Sequence, residues 1–217
     1  MSELIVALDG MAPDKALQVA GDLSHLQPNG LWGFKIGHSL TFAGAEWIKE
    51  LKTFGKVFVD LKLYDIPNTV ENAVAWLSSL NVDLATVHLS MGRSTLEKIA
   101  DKGVGILGVS LLTSAIPDEC RRIYGGSPTE TLLKLFSEAS KTGIAGVVCS
   151  PQDLHLLDQI DPVQTYDDMV DFASQFSEVH HANICDFERK PVSKQLINHF
   201  RNKATEIAKA QTLEKIQ

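Results

Sequence analysis

The chain has 217 residues, of which 44% are hydrophobic and 22% charged, and a formal net charge of −7. That composition belongs to an ordinary globular protein with room for one full core. The acidic balance weighs against general nucleic-acid binding and against anionic membrane surfaces, while leaving room for an anionic substrate at a locally basic site. Cys120, Cys149 and Cys185 form no close pair, which predicts free thiols in a reducing cytoplasm. The opening MSELIVALDG runs into an apolar strand with no basic leader, so no signal peptide is expected, and no apolar run approaches a membrane span.

In chain order, Leu4–Leu8 is a short apolar run read as a first strand, with Asp9 at its carboxyl end. Leu17, Ala20 and Leu23 keep helical spacing after Pro13, and Pro28-Asn29-Gly30 is a turn. Trp32–Ile36 is a second strand with Lys35 inside an apolar setting, either a snorkelling lysine or a functional one. Phe42, Ala45, Ile48 and Leu51 mark the next helix face.

Val57–Leu61 is a third, β-branched strand leading into D-x-K-x-x-D: Asp60, Lys62, Asp65. Asp60 and Lys62 are two apart and share a face in extended chain. Ile66-Pro67 turns the chain, and Asn68-Thr69 start a helix carrying Val70, Ala73, Val74 and Leu77. Alternating charges at the end of a buried strand are costly unless paired. They are either a structural ion pair closing the strand or a catalytic array.

Leu84–Leu89 is a fourth strand with His88 near its end, and Leu96, Ile99 and Ala100 mark a short helix. Gly105–Ser110 is a fifth strand, followed by Leu111-Leu112-Thr113-Ser114 and a long loop from Ala115 to Gly126. Ser127-Pro128-Thr129-Glu130 is a capping box for a helix through Leu132, Leu133, Leu135, Phe136 and Ala139. Gly146–Cys149 is a sixth strand, and Leu154, Leu157 and Ile160 line a sixth helix.

Residues 1–161 are thus six βα units in strict alternation, an α/β pattern that calls for a parallel sheet covered by helices. With neither G-x-G-x-x-G nor G-x-x-x-x-G-K present, a (β/α)8 TIM-type barrel is favoured over a doubly wound sheet. In such a barrel Asp9, Lys35, Asp60, Lys62, His88 and Ser114 all fall at the carboxyl ends of strands, where barrel active sites are built. Residues 162–217 change character: they hold no convincing apolar strand, and the last two units are atypical or missing. Gln164–Phe176 reads as weakly helical, Val179–Ile184 as a poor strand, and Ser193–Ile216 as an amphipathic helix. Six strands alone would leave the first and the sixth as open edges inviting self-association. His180, His181, Cys185 and His199 match no familiar zinc spacing, so no metal is expected.

The motifs VALDG at Val6–Gly10, FKIG at Phe34–Gly37, DLKLYDIPNT at Asp60–Thr69, TVHLSMG at Thr86–Gly92, LLTS at Leu111–Ser114 and GVVCSPQDL at Gly146–Leu154 resemble the orotidine 5′-phosphate decarboxylase family over residues 1–161. Related sugar-phosphate decarboxylases share D-x-K-x-x-D but lack the Ile66-Pro67-Asn68-Thr69 extension. The resemblance implies a cofactor-independent cytoplasmic lyase of pyrimidine biosynthesis, acting as a homodimer on a nucleotide and converting orotidine 5′-phosphate to UMP and CO2. It implies that Lys62 donates a proton to C6 of the pyrimidine and that Asp60 sits beside the substrate carboxylate. It implies that Lys35 and Asp65 complete the array, with Asp65 and Thr69 reaching into the neighbouring subunit's site. Asp9 and Lys35 would bind ribose, Thr113 and Ser114 the base, and His88 would lie near the site.

The family's later motifs, a P-G-I-R loop and a G-R-P turn that grip the substrate phosphate, do not occur here; Arg189-Lys190-Pro191 does not match, and Gly92-Arg93 belongs to the fourth unit. Remote phosphate binding supports the chemical step in such enzymes, so an impaired decarboxylase is expected. The alternative is a non-catalytic partial barrel, or a truncated or frameshifted remnant, that pairs with a complete subunit.

Overall fold

Apolar runs of four to eight residues separated by amphipathic helices fold here as strands lining a barrel, with the helices packed outside. The computed structural model describes residues 3–112, 115–150, 153–157, 159–160, 169–173 and 181–185. In chain order these form β1 (Glu3–Ala7), α1 (Pro13–Leu23), β2 (Leu31–Ile36), α2 (His38–Thr41), α3 (Ala45–Lys52), β3 (Lys56–Leu63), α4 (Pro67–Ser79), β4 (Leu84–His88), α5 (Arg93–Ile99), β5 (Gly105–Val109), α6 (Pro117–Tyr124), α7 (Pro128–Ala139), β6 (Gly146–Cys149), α8 (Leu154–Leu157), β7 (Met169–Ala173) and β8 (His181–Cys185). Strands β1 to β6 pair in sequence order and in parallel.

The barrel is closed, and its closure corrects the expectation of two open edges. β7 pairs in parallel with β1, from Glu3 opposite Met169 to Ala7 opposite Ala173. β8 runs antiparallel to both neighbours, with Val148 opposite Ile184 on β6 and Phe172 opposite His181 on β7. Met169–Ala173 lies in the segment expected to be weakly helical. The five residues MVDFA, with Asp171 at their centre, are too short to fix a period, and backbone pairing to β1 decides the conformation. The order at the seam, β6-β8-β7-β1, differs from the all-parallel order of two further βα units. The expected helix Ser193–Ile216 lies outside the described residues.

A second correction concerns residues 115–126, expected to be loop. Pro117–Tyr124 is helical: Pro117 takes the first position, Asp118 and Glu119 the first turn, Arg121 and Arg122 the last, and Gly125 ends the helix at φ 73°. Cys120 is its buried residue, so no apolar stripe announces the helix. The Ser127–Glu130 capping box forms as expected. Phe42, expected on the same helix face as Ile48 and Leu51, is 80% exposed; the buried residues of α3 are Trp47, Ile48 and Leu51.

Alternation along the strands divides the core. Phe34, Ile36, Val57, Val59, Ala85, Val87, Ile106 and Val147 face outward and join the helix residues Ala20, Ile48, Val74, Leu77 and Phe136 in one large cluster. Ile5, Trp32, Phe58, Leu84 and Leu107 form a separate small cluster, the apolar floor of the barrel interior. The next same-face positions up β1, β3 and β4 are Ala7, Asp60 and Thr86. The interior therefore changes from hydrocarbon to charge within one layer.

Because both seams are paired, backbone amides of Ile5–Ala7 and Val147–Cys149 are expected to exchange with deuterium as slowly as those of Val57–Val59. Fast exchange at β1 and β6 alone, read by NMR or mass spectrometry, would show that β7 and β8 do not hold the closure.

Candidate active site

Asp60 is the centre of the charged layer. Its side chain is 14% exposed, and Oδ2 receives Lys62 Nζ at 2.7 Å and Lys35 Nζ at 3.5 Å. Lys35 in turn meets Asp9 Oδ2 at 2.6 Å. The order Asp9–Lys35–Asp60–Lys62 is a chain of alternating charge crossing from β1 through β2 to β3. The bland reading of Lys35 as a snorkelling side chain is excluded, because the residue is buried and ion-paired. Asp60 Oδ1 accepts from the Thr86 hydroxyl at 2.8 Å. Burial alone would raise the Asp60 carboxyl, but Lys35, Lys62 and the hydrogen bonds from Lys62 and Thr86 hold it below its ordinary value of 3.8. It is therefore an anion at neutral pH.

The strand itself is distorted here. β3 and β4 pair Val59 with Ala85 and next Leu63 with Val87, so Asp60, Leu61 and Lys62 stand opposite Thr86 alone. This is a bulge, the device by which sheets re-aim side chains near sites. Lys62 takes φ 50°, a left-handed conformation rare for a residue with a Cβ. Its N–H leaves the ladder and donates to Thr86 Oγ1 at 2.8 Å.

His88, two residues above Thr86, is half-buried and packs its ring against Tyr64 at 5.7 Å between centroids. Burial first, then the Lys62 charge, pull the imidazole below 6.5, and Asp60 opposes them. At neutral pH His88 is uncharged.

Of the expected site residues, the structure brings together Asp9, Lys35, Asp60 and Lys62, with His88 alongside. Asp65 and Thr69 stand apart from this array: both are exposed, and Asp65 Oδ1 accepts the Ile66 N–H at 2.6 Å. Thr113 and Ser114 lie outside the described residues. Thr86 is a site residue that the sequence reading passed over. The available signal was its parity, since Leu84, Thr86 and His88 alternate onto one face and make a buried threonine a polar step between floor and rim. No group of three or more possible metal ligands occurs among the described residues, and no helix among them is long and apolar enough to cross a membrane.

Two outcomes test this geometry. Gly37 is extended at φ −92° and ψ −164°, so alanine fits its backbone, but a Cβ there would collide with Asp9 Oδ1. Gly37→Ala is expected to cost about 1 kcal/mol, the scale of a partly exposed charged hydrogen bond, and almost nothing in an Asp9→Ala background. Equal cost in both backgrounds, measured by urea unfolding, would show that Gly37 does not make room for Asp9. For His88, NMR titration is expected to give a midpoint below 6.5 that rises in Lys62→Met and falls in Asp60→Asn; a midpoint indifferent to both would place the imidazole beyond the reach of those charges.

Comparison with known proteins agrees with this architecture. Residues 2–187 match the model of the orotidine 5′-phosphate decarboxylase / HUMPS family. The orotidine 5′-phosphate decarboxylase of Nautilia profundicola is 38% identical over 167 residues, covering 73% of this chain and 71% of that one. That of Sulfurimonas denitrificans is 34% identical over 158 residues, covering 68% of each. Among solved structures, orotidine 5′-phosphate decarboxylase from Lactobacillus acidophilus is similar with a TM-score of 0.64 at 31% identity, over 76% of this chain and 79% of that one. A family match over residues 2–187 takes in both strands that close the barrel, as well as β1 to β4 with the site residues, and the chain belongs to the orotidine 5′-phosphate decarboxylase / HUMPS family.

Proposed function

We propose that this chain decarboxylates orotidine 5′-phosphate to UMP and CO2, in pyrimidine biosynthesis, with weakened hold on the substrate phosphate. The observation that carries the reading is the Asp9–Lys35–Asp60–Lys62 chain above an apolar floor. Loss of CO2 breaks the bond to C6 and leaves its electron pair on a vinylic carbon that no π-system stabilises. The pair is neutralised by a proton, which Lys62 Nζ supplies. Fixed charges that need no reorganisation lower such a barrier most effectively, and Lys62 is fixed through Asp60 Oδ2. Asp60 lies beside the position of the departing carboxylate, and Asp9 and Lys35 take the ribose hydroxyls. Thr113 and Ser114 contact the base. The reaction as written needs no cofactor, because the protein's own charges are the electrophilic aid.

In this reading the chain works as a cytoplasmic homodimer. Support comes from Asp65 and Thr69, which are exposed next to the exposed Tyr64 and Ile66 and so are free to reach a second subunit's site. The absence of P-G-I-R and G-R-P from the sequence favours one competing reading, a non-catalytic barrel that pairs with a complete subunit.

Decarboxylation by the purified chain separates the two. Turnover is expected, with a raised KM, and Lys62→Ala is expected to lower kcat by at least about a thousandfold while leaving the far-UV spectrum unchanged. Turnover absent from the unsubstituted chain supports the non-catalytic reading, and near-normal kcat in Lys62→Ala removes Lys62 as proton donor.

A further inference from the structure

We propose that Thr86 is a positioning residue of this site: its one hydroxyl fixes both the direction of the Asp60 carboxylate and the left-handed backbone of Lys62. Thr86 is fully buried, 0% exposed, on β4 opposite the three-residue bulge of β3. A backbone N–H can only donate and a carboxylate can only accept. Hence Thr86 Oγ1 must accept from Lys62 N–H and give its single proton to Asp60 Oδ1, and the two 2.8 Å distances fit that assignment. The order is forced, and no other proton arrangement satisfies both groups. With Oδ1 held by Thr86, Oδ2 is left to face Lys62 Nζ and Lys35 Nζ. The same hydroxyl replaces the ladder acceptor that the bulge takes from Lys62, which otherwise would combine a φ of 50° with a lost hydrogen bond. Asp9, Lys35, Lys62 and His88 are the titratable groups around Asp60. Thr86 carries no titratable group, and it acts through Asp60 and Lys62 without touching substrate.

The inference rests on the decarboxylase reading for its kinetic consequence alone, and its test keeps the two apart. In the unsubstituted chain the Lys62 amide is expected to exchange with deuterium at least about a hundredfold more slowly than the amide of exposed Tyr64, although it lies outside the strand ladder. Equal exchange overturns the proposal whatever the activity. Thr86→Val keeps the shape and removes the hydroxyl; it is expected to lower kcat about ten- to a hundredfold with KM changed less than about threefold. It should also raise the Asp60 carboxyl midpoint in a carbon-13 NMR titration. Thr86→Ser restores the hydroxyl and should return kcat to within about threefold. A serine variant as slow as the valine one, or a valine variant with normal kcat and an unmoved Asp60 midpoint, overturns the positioning role. If valine prevents folding, the Lys62 exchange rate and the serine variant decide. If the unsubstituted chain has no turnover, the decarboxylase reading fails, while the exchange rate and the Asp60 titration still judge Thr86.

Discussion

A single carboxylate, that of Asp60, governs the upper half of this barrel. It is nearly enclosed, and an isolated anion there would be strongly disfavoured. Three donors meet it: Lys35, Lys62 and Thr86. Each comes from a different strand position, so satisfying Asp60 ties β2, β3 and β4 together at their carboxyl ends. Removing one member leaves Asp60 with fewer donors in a nearly enclosed position, a cost below the ~3–5 kcal/mol of breaking a fully buried isolated ion pair, because the remaining donors still meet it and Lys62 is partly exposed. The arrangement is therefore both costly and specific: the fold holds the charges in one order, and that order is what an electrostatic mechanism needs before substrate arrives.

Below Asp60 the requirements reverse. Ile5, Trp32, Phe58, Leu84 and Leu107 exclude water from beneath the charges, which strengthens every interaction above them. Close approach of the strands matters here. Gly33 faces the backbone of Lys56 so closely that a Cβ would overlap its carbonyl, and Lys56 lays its ammonium over the Trp32 ring at 5.2 Å. At the lower end of β3, Asp83 accepts from Lys52 at 2.5 Å and from the Val57 N–H at 2.7 Å. β3 is thus anchored by a carboxylate at each end, and the bulge between Val59 and Leu63 is confined to the segment where the site needs it.

Much of this was legible in the sequence because the signals were redundant. β3 is β-branched, bounded and followed by D-x-K-x-x-D-I-P, so its place and its chemistry agree. Lys35 stood out because an apolar strand has no ordinary use for a lysine. The six parallel strands followed from strict alternation with amphipathic helices. What escaped reading lacked a local signal. Helix α6 buries little beyond Cys120, so its periodicity is silent. By pattern alone β7 reads as weakly helical and β8 as only a poor strand; each is five residues long, and their pairing with β1 and β6 is a long-range fact. Thr86 is a modest residue whose role depends on a register shift that no pattern of hydrophobicity encodes. The left-handed Lys62 is similar: neither glycine nor asparagine marks the position, and the conformation is imposed by the bulge.

The closing strands also fix where the later segment joins the strands that carry the charges. Lys35, Asp60 and Lys62 sit on β2 and β3, and Thr86 sits on β4; these strands pair only with one another, with β1 and with β5. β1 alone both leads into a site residue and pairs with a strand of the later segment, Ala7 standing opposite Ala173 two residues before Asp9. Along the described ladder, Asp9 is thus the member of the array nearest to the later segment, and its side chain is 39% exposed, where screening is strongest. In the ladder, β2, which carries Lys35, is separated from β7 by β1. The order of the strands therefore sets the alternating charges on the part of the barrel formed by residues 1–161, with β1 between them and β7.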